Sequence, residues 1–275
     1  MIWRACLLFL SLFCAGPTVE ARALRVMSLN LCADQLLMAL ADRADIVSLS
    51  PFARDARLSF LAETAANFPL NRGTGEEVLV AKPDLVLIGR FGRPAPRELL
   101  RRFNVATETL EPWRGLEDGV AQIRRIAERL GRVERGEALI SRIRDAEQDA
   151  RAVAGAKLSA VMLQRRGWVG GPDSFTGALI EHAGLINAAP NLGLSRSRFV
   201  PLEQIVMRPP DLLVLSSIDP QAIDQGTALL GHPVLNDMFD VSRRIAIPER
   251  LVVCGGPSTP DALRHIAAEV RRVAP

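Results

Sequence analysis

Glu76-Glu-Val-Leu-Val-Ala-Lys-Pro-Asp-Leu-Val-Leu87 recurs as Glu203-Gln-Ile-Val-Met-Arg-Pro-Pro-Asp-Leu-Leu-Val214, with every residue displaced by the same 127 positions, as Glu76 to Glu203 and Asp84 to Asp211 show. Each copy reads as a short helix, a proline that stops it, and an apolar strand entered through an exposed Asp. A chain that writes this unit twice in one register is expected to fold as two similar lobes. Outward from the first copy, Leu24 to Asn30 and Asp45 to Leu49 read as strands around a helix over Cys32 to Ala41. Downstream of it, Asp84 to Gly89 and Val105 to Leu110 read as strands separated by a helix over Pro96 to Phe103. Around the second copy the same alternation gives strands at Leu158–Gln164, Asp211–Ser216 and Arg244–Pro248, with helices at Ser174–Ala183, Leu202–Met207 and Ser258–Val273. Apolar strands interleaved with helices predict α/β lobes with mainly parallel sheets covered on both faces.

Between the copies the periodicity changes. Leu116, Val120, Ile123, Ala127 and Leu130 recur at helical spacing, and after Gly131 a second helical run carries Leu139, Ile140, Ile143 and Ala146. Residues 115–155 are therefore expected to be a connecting helical segment between an N-terminal lobe, 24–114, and a C-terminal lobe, 156–275. Residues 1–23 read as a cleavable export signal: Arg4, an apolar run from Leu7 to Phe13, and Ala21-Arg22-Ala23 as the cleavage site. Cys14 follows the bulky Phe13, which is unsuited to a lipid-attachment site. No apolar run reaches the roughly 18 to 20 residues of a membrane span.

The 275 residues are 48% hydrophobic and 24% charged, enough for a substantial core. The 34 Lys and Arg against 31 Asp and Glu are spread along the chain, so no basic stripe offers itself to nucleic acid. There is no Tyr and there are only three His, which argues against direct capture of a bare metal and against tyrosine ligation of haem. No G-x-S-x-G elbow or phosphate loop is present, so the chain is not expected to be an enzyme, and no intrinsic cofactor is expected.

Six segments, RVMSLNLCADQLLMALA (25–41), EEVLVAKPDLVLIG (76–89), GGPDSFTGALIEHAGLIN (170–187), VPLEQIVMRPPDLLVL (200–215), HPVLNDM (232–238) and CGGPSTPDAL (254–263), together resemble the metal-chelate periplasmic binding proteins of ABC importers. That resemblance implies two lobes joined by a long α-helix, a ligand cleft between them, and a monomer. It implies a ferric siderophore or a corrinoid as cargo, and a membrane permease with its ATPase as partners. It also implies that Glu76 and Glu203, one per lobe, dock onto the permease. Parallel sheets bind ligands at the carboxyl ends of their strands. The loops there hold Cys32, Phe52, Arg54, Arg90, Phe91, Arg93, Trp168 and Cys254, and by family position Arg196, Arg198 and Phe199 join them. Arginines beside aromatic rings suit a bulky anionic chelate, which favours the ferric siderophore over a corrinoid.

Cys32 and Cys254 are open to three readings: two unrelated buried residues, a disulfide between the lobes, or soft contacts to a metal complex. The rival from another class is a thiol redox enzyme that uses this pair.

Overall fold

The two copies of the repeat fold alike and sit in two different sheets. The computed structural model describes residues 24–92, 94–152, 157–216 and 226–273; the expected export signal, 1–23, and Arg93 lie outside them. The first sheet is built from β1 (Val26–Ser28), β2 (Ile46–Ser48), β3 (Leu85–Gly89) and β4 (Thr107–Leu110), in the order β2-β1-β3-β4 and parallel throughout. Its helices are α1 (Leu31–Leu40), α2 (Ala62–Ala65), α3 (Gly75–Ala81) and α4 (Pro94–Arg102). The expected second strand starts one residue late, because Asp42 and Asp45 close a capping box around a 3-10 turn.

The connecting segment is two helices, α5 (Leu116–Arg129) and α6 (Val133–Arg151), which turn back on each other at Gly131, where φ is +65°. Ion pairs from Arg124 to Glu137 at 2.7 Å and from Arg144 to Glu117 fix them antiparallel. The 19 residues of α6, about 28 Å of helix, form the long element between the sheets. At its start Arg135 and Arg132 hold Asp42, and Arg132 also holds Asp45 at 3.0 Å. At its end Glu147 meets His182 at 2.5 Å.

The second sheet contains β5 (Ser159–Gln164), β6 (Trp168–Val169), β7 (Ile186–Asn187), β8 (Arg198–Phe199), β9 (Leu212–Ser216) and β10 (Arg244–Ile247). Its spine β10-β9-β5 is parallel; β6 and β8 extend it antiparallel, and β7 pairs with the start of β5. Its helices are α7 (Phe175–His182), α8 (Leu202–Met207), α9 (Pro233–Met238), α10 (Glu249–Val252) and α11 (Thr259–Val273).

The repeated Asp has the same task in both sheets. Asp84 accepts the backbone N–H of Arg25 at 2.9 Å, just before β1. Asp211 accepts the N–H and hydroxyl of Ser159, at 2.8 and 2.7 Å, at the start of β5. In each sheet a carboxylate thus ties the entry of the repeat strand to the strand beside it.

One continuous apolar cluster runs from Leu36 and Leu37 of α1 through Ile123 and Ile143 of the hairpin to Leu179 of α7 and Ile266 of α11. The two sheets therefore share a core across the hairpin, a packing that resists relative motion. Among the described residues no helix is long and apolar enough to cross a membrane.

Candidate functional site

The carboxyl ends of the two parallel sheets converge on a cleft of about 470 Å³. The first sheet contributes Asn30 after β1, Arg90 and Phe91 after β3, and Glu111 to Trp113 after β4. The second contributes Gln164 and Trp168 at the β5–β6 turn, Ser174 to Thr176 at the start of α7, and Val252 to Gly255 after α10. Two helix starts face it, each with its own cap. The Asn30 side chain accepts the N–H groups of Cys32 and Ala33, at 3.0 and 3.3 Å, and the Ser174 hydroxyl accepts that of Gly177 at 3.1 Å.

The floor is covalent. Cys32 and Cys254 form a disulfide that joins positions 222 residues apart in sequence, with Cα atoms 5.3 Å apart. Of the three readings of this pair, the structure takes the bridge, so neither sulfur is a free thiol for a metal complex. Beside it lies Trp113, only 5% exposed, with its ring edge-on to Phe175 at 5.5 Å. The indole is clasped by Gly119 and Gly255; a Cβ on either glycine would fall 2.3 Å from the ring. Its Nε1 donor is buried with no hydrogen-bond partner among the described residues. An unmade buried hydrogen bond costs about 1–3 kcal/mol. At the rim, Trp168 stands edge-on to Phe199 at 5.0 Å, and Phe91 is 86% exposed on the opposite side.

The cleft carries little net charge. Arg90, the one arginine in its lining among the described residues, is paired with Glu111 at 3.0 Å. The structure does not bring Arg54 there: its guanidinium donates to the carbonyls of Ala65, Ala66 and Phe68 and closes a loop. Arg196 and Arg198 are exposed, and Ser197 between them is the residue that reaches the cleft. Phe52 lines a neighbouring cavity. Cys32, Arg90, Phe91, Trp168 and Cys254 are thus brought together, whereas Phe52, Arg54, Arg196, Arg198 and Phe199 stand outside the lining.

Trp113 is the residue that sequence reasoning missed. The same strand-tip rule applied to Leu110, the end of β4, selects the loop that carries it. The three histidines are engaged elsewhere: His182 with Glu147, His232 capping Val234 at the start of α9, and His265 donating to the Ala246 carbonyl at 2.6 Å. No group of three or more His, Cys, Asp or Glu placed to hold a metal occurs among the described residues.

Below the cleft, Asp34 in the first turn of α1 is fully buried and accepts the N–H and hydroxyl of Ser50, at 2.9 and 2.5 Å. Burial pushes its carboxyl up to about 6, and the hydrogen bonds from Ser28 and Ser50 offset only part of that.

A family model described as periplasmic binding protein matches residues 26–238, which take in both sheets except β10. The chain belongs to the periplasmic binding protein family. Solved structures of similar fold include the periplasmic heme-binding protein RhuT from Roseiflexus sp. RS-1, with TM-score 0.74 and 24% identity over 92% of this chain and 100% of that one. The periplasmic heme-binding protein HutB of Vibrio cholerae gives 0.73 and 16% over 92% and 100%. The periplasmic vitamin B12 binding protein BtuF of Vibrio cholerae gives 0.66 and 18% over 90% and 97%. A sequence comparison with curated proteins gives no significant match. Periplasmic binding proteins of this kind serve ABC importers by binding rather than by catalysis, and the shared fold puts the cleft of this one between two sheets.

Proposed function

We propose that this periplasmic binding protein captures a corrinoid-type metal chelate and hands it to the permease of an ABC importer. The observation that carries the reading is the lining of the cleft among the described residues: aromatic rings and neutral polar groups, with one arginine that Glu111 already neutralises. A ferric siderophore with several carboxylates or catecholates needs unpaired cations at the site, whereas Arg54, Arg196 and Arg198 stand outside the cleft lining and Arg90 is paired with Glu111. Haem needs an axial ligand from the protein. Among the described residues the lining supplies no Tyr, His, Met or free thiol, so it suits a complex that brings its metal ligands with it. The rings of Trp168 and Phe91 at the rim, with the buried edge-on pair Trp113 and Phe175 behind them, suit a large ring system.

In this reading residues 1–23 export the chain, and Glu76 and Glu203 dock the loaded protein onto cationic residues of the permease. Both are exposed and unpaired among the described residues, each in the first turn of its repeat helix. The repeat supplies a further likeness: Val80 and Met207, one turn beyond the two glutamates and again 127 residues apart, are 84% and 78% exposed.

The test is a titration of cyanocobalamin, a ferric tris-catecholate and hemin against the fluorescence of Trp113 and Trp168, with calorimetry as a second readout. Cyanocobalamin is expected to bind with submicromolar Kd and to quench most strongly. Tighter binding of the tris-catecholate would return the assignment to siderophores.

A further inference from the structure

Beside the cleft lies a second cavity of about 480 Å³, enclosed by the first sheet and its loops alone. The two share Asn30, Gly89 and Phe91, so the Phe91 ring is the partition between them. Leu29, Leu31, Leu58 and Ile88 make the second cavity apolar, and Phe52, 55% exposed, adds a second aromatic face to that of Phe91. Two guanidinium groups also line it. Arg72 spends its Nε on Glu77, and Arg97 spends one terminal nitrogen on the carbonyls of Gly89 and Arg90. The remaining side-chain N–H groups of both have no partner among the described residues.

The distribution of charge between the two spaces is uneven. The cleft is neutral, while the side cavity combines aromatic faces with unspent cationic donors. A cargo matched to both is neutral at its ring system and anionic only on a pendant arm that ends in an aromatic group. The cleft alone also lies in the lower half of the usual range of ligand sites, about 300–1,000 Å³, whereas the two together approach its top.

We infer that the cavity behind Phe91 is a second subsite of the cleft, and that it receives an aromatic arm joined to the bound chelate through a phosphate. Phe52 and Phe91 stack on the aromatic base, and Arg72 and Arg97 receive the phosphate through charge-assisted hydrogen bonds. The inference rests on the corrinoid reading and goes one step beyond it, because corrinoids occur with and without such a nucleotide arm.

The experiment compares cyanocobalamin, which has the arm, with dicyanocobinamide, which lacks it, by calorimetry on the intact protein. Wild type is expected to bind cyanocobalamin at least tenfold more tightly. In Leu58→Trp, whose indole fills the side cavity without entering the cleft lining, that advantage is expected to disappear through weaker cyanocobalamin binding alone. Retained cobinamide binding then reports that the variant is folded. Equal affinities in wild type, or equal weakening of both ligands in Leu58→Trp, would overturn the subsite while leaving the corrinoid reading intact. Binding of neither ligand would overturn the corrinoid reading and the subsite with it.

Discussion

Asp34 is a carboxylic acid placed where water cannot reach it, and the fold accepts it more readily with its proton on. Its folded value of about 6 lies above the ordinary 3.8, so the native state binds more protons than the unfolded chain between those values. The contribution is fully present below pH 4 and is lost as pH rises to 6, a change of about 3 kcal/mol for two pKa units. Exposed carboxylates act in the opposite sense: hydrogen bonding from Arg135 lowers Asp42, and hydrogen bonding from Arg124 lowers Glu137. The informative quantity is therefore the stability of wild type minus that of Asp34→Asn, from urea unfolding at pH 4 and pH 7. This difference should shift by about 2 kcal/mol against wild type at the higher pH, and a pH-independent difference would show that Asp34 titrates normally. Trp113 illustrates how far a residue's role was readable. Its position after a strand marks it for the cleft, but its burial depends on Gly255, which closes on the ring from far along the chain, opposite the nearby Gly119.

Among the elements, the repeat pair α3–β3 and α8–β9 was legible because proline, Asp and an apolar run are local signals that packing reinforces. The two-residue strands β6 and β8 were not, since two residues have no periodicity; β6 is placed by the turn through Arg166, where φ is +58°, and β8 pairs with it from a distant part of the chain. The bridge was left open for a related reason: nothing local connects residues 222 positions apart. The helices α3 and α8 each present a glutamate and an exposed apolar residue one turn later, an arrangement suited to a partner that offers the same cation and apolar patch twice. The double variant Glu76→Ala, Glu203→Ala should reduce stimulation of the permease's ATPase in proteoliposomes severalfold while cargo affinity stays the same. Unaltered stimulation would remove the two glutamates from the docking surface.

For the molecule as a whole, the shared core, the two charged clamps on α6 and the bridge beneath the cleft all oppose opening of the lobes. Cargo binding should therefore change the radius of gyration in small-angle scattering by less than 1 Å on the order of side-chain displacements, and a larger contraction would contradict a braced cleft. Replacing both cysteines by Ser removes a constraint on the unfolded chain worth about 5 kcal/mol in the chain-entropy account for a loop of this length. The urea midpoint should fall accordingly, while the shared core keeps the fold two-sheeted.

The link between Cys32 and Cys254 has a topological consequence, because it turns most of the polypeptide into a covalent ring. A protease that nicks any surface loop inside that ring opens it without releasing a fragment. The nicked molecule would migrate as one species on a denaturing gel and separate into two pieces only after a reducing agent is added. In a compartment rich in proteases, such a ring allows a damaged receptor to keep both halves of its cleft.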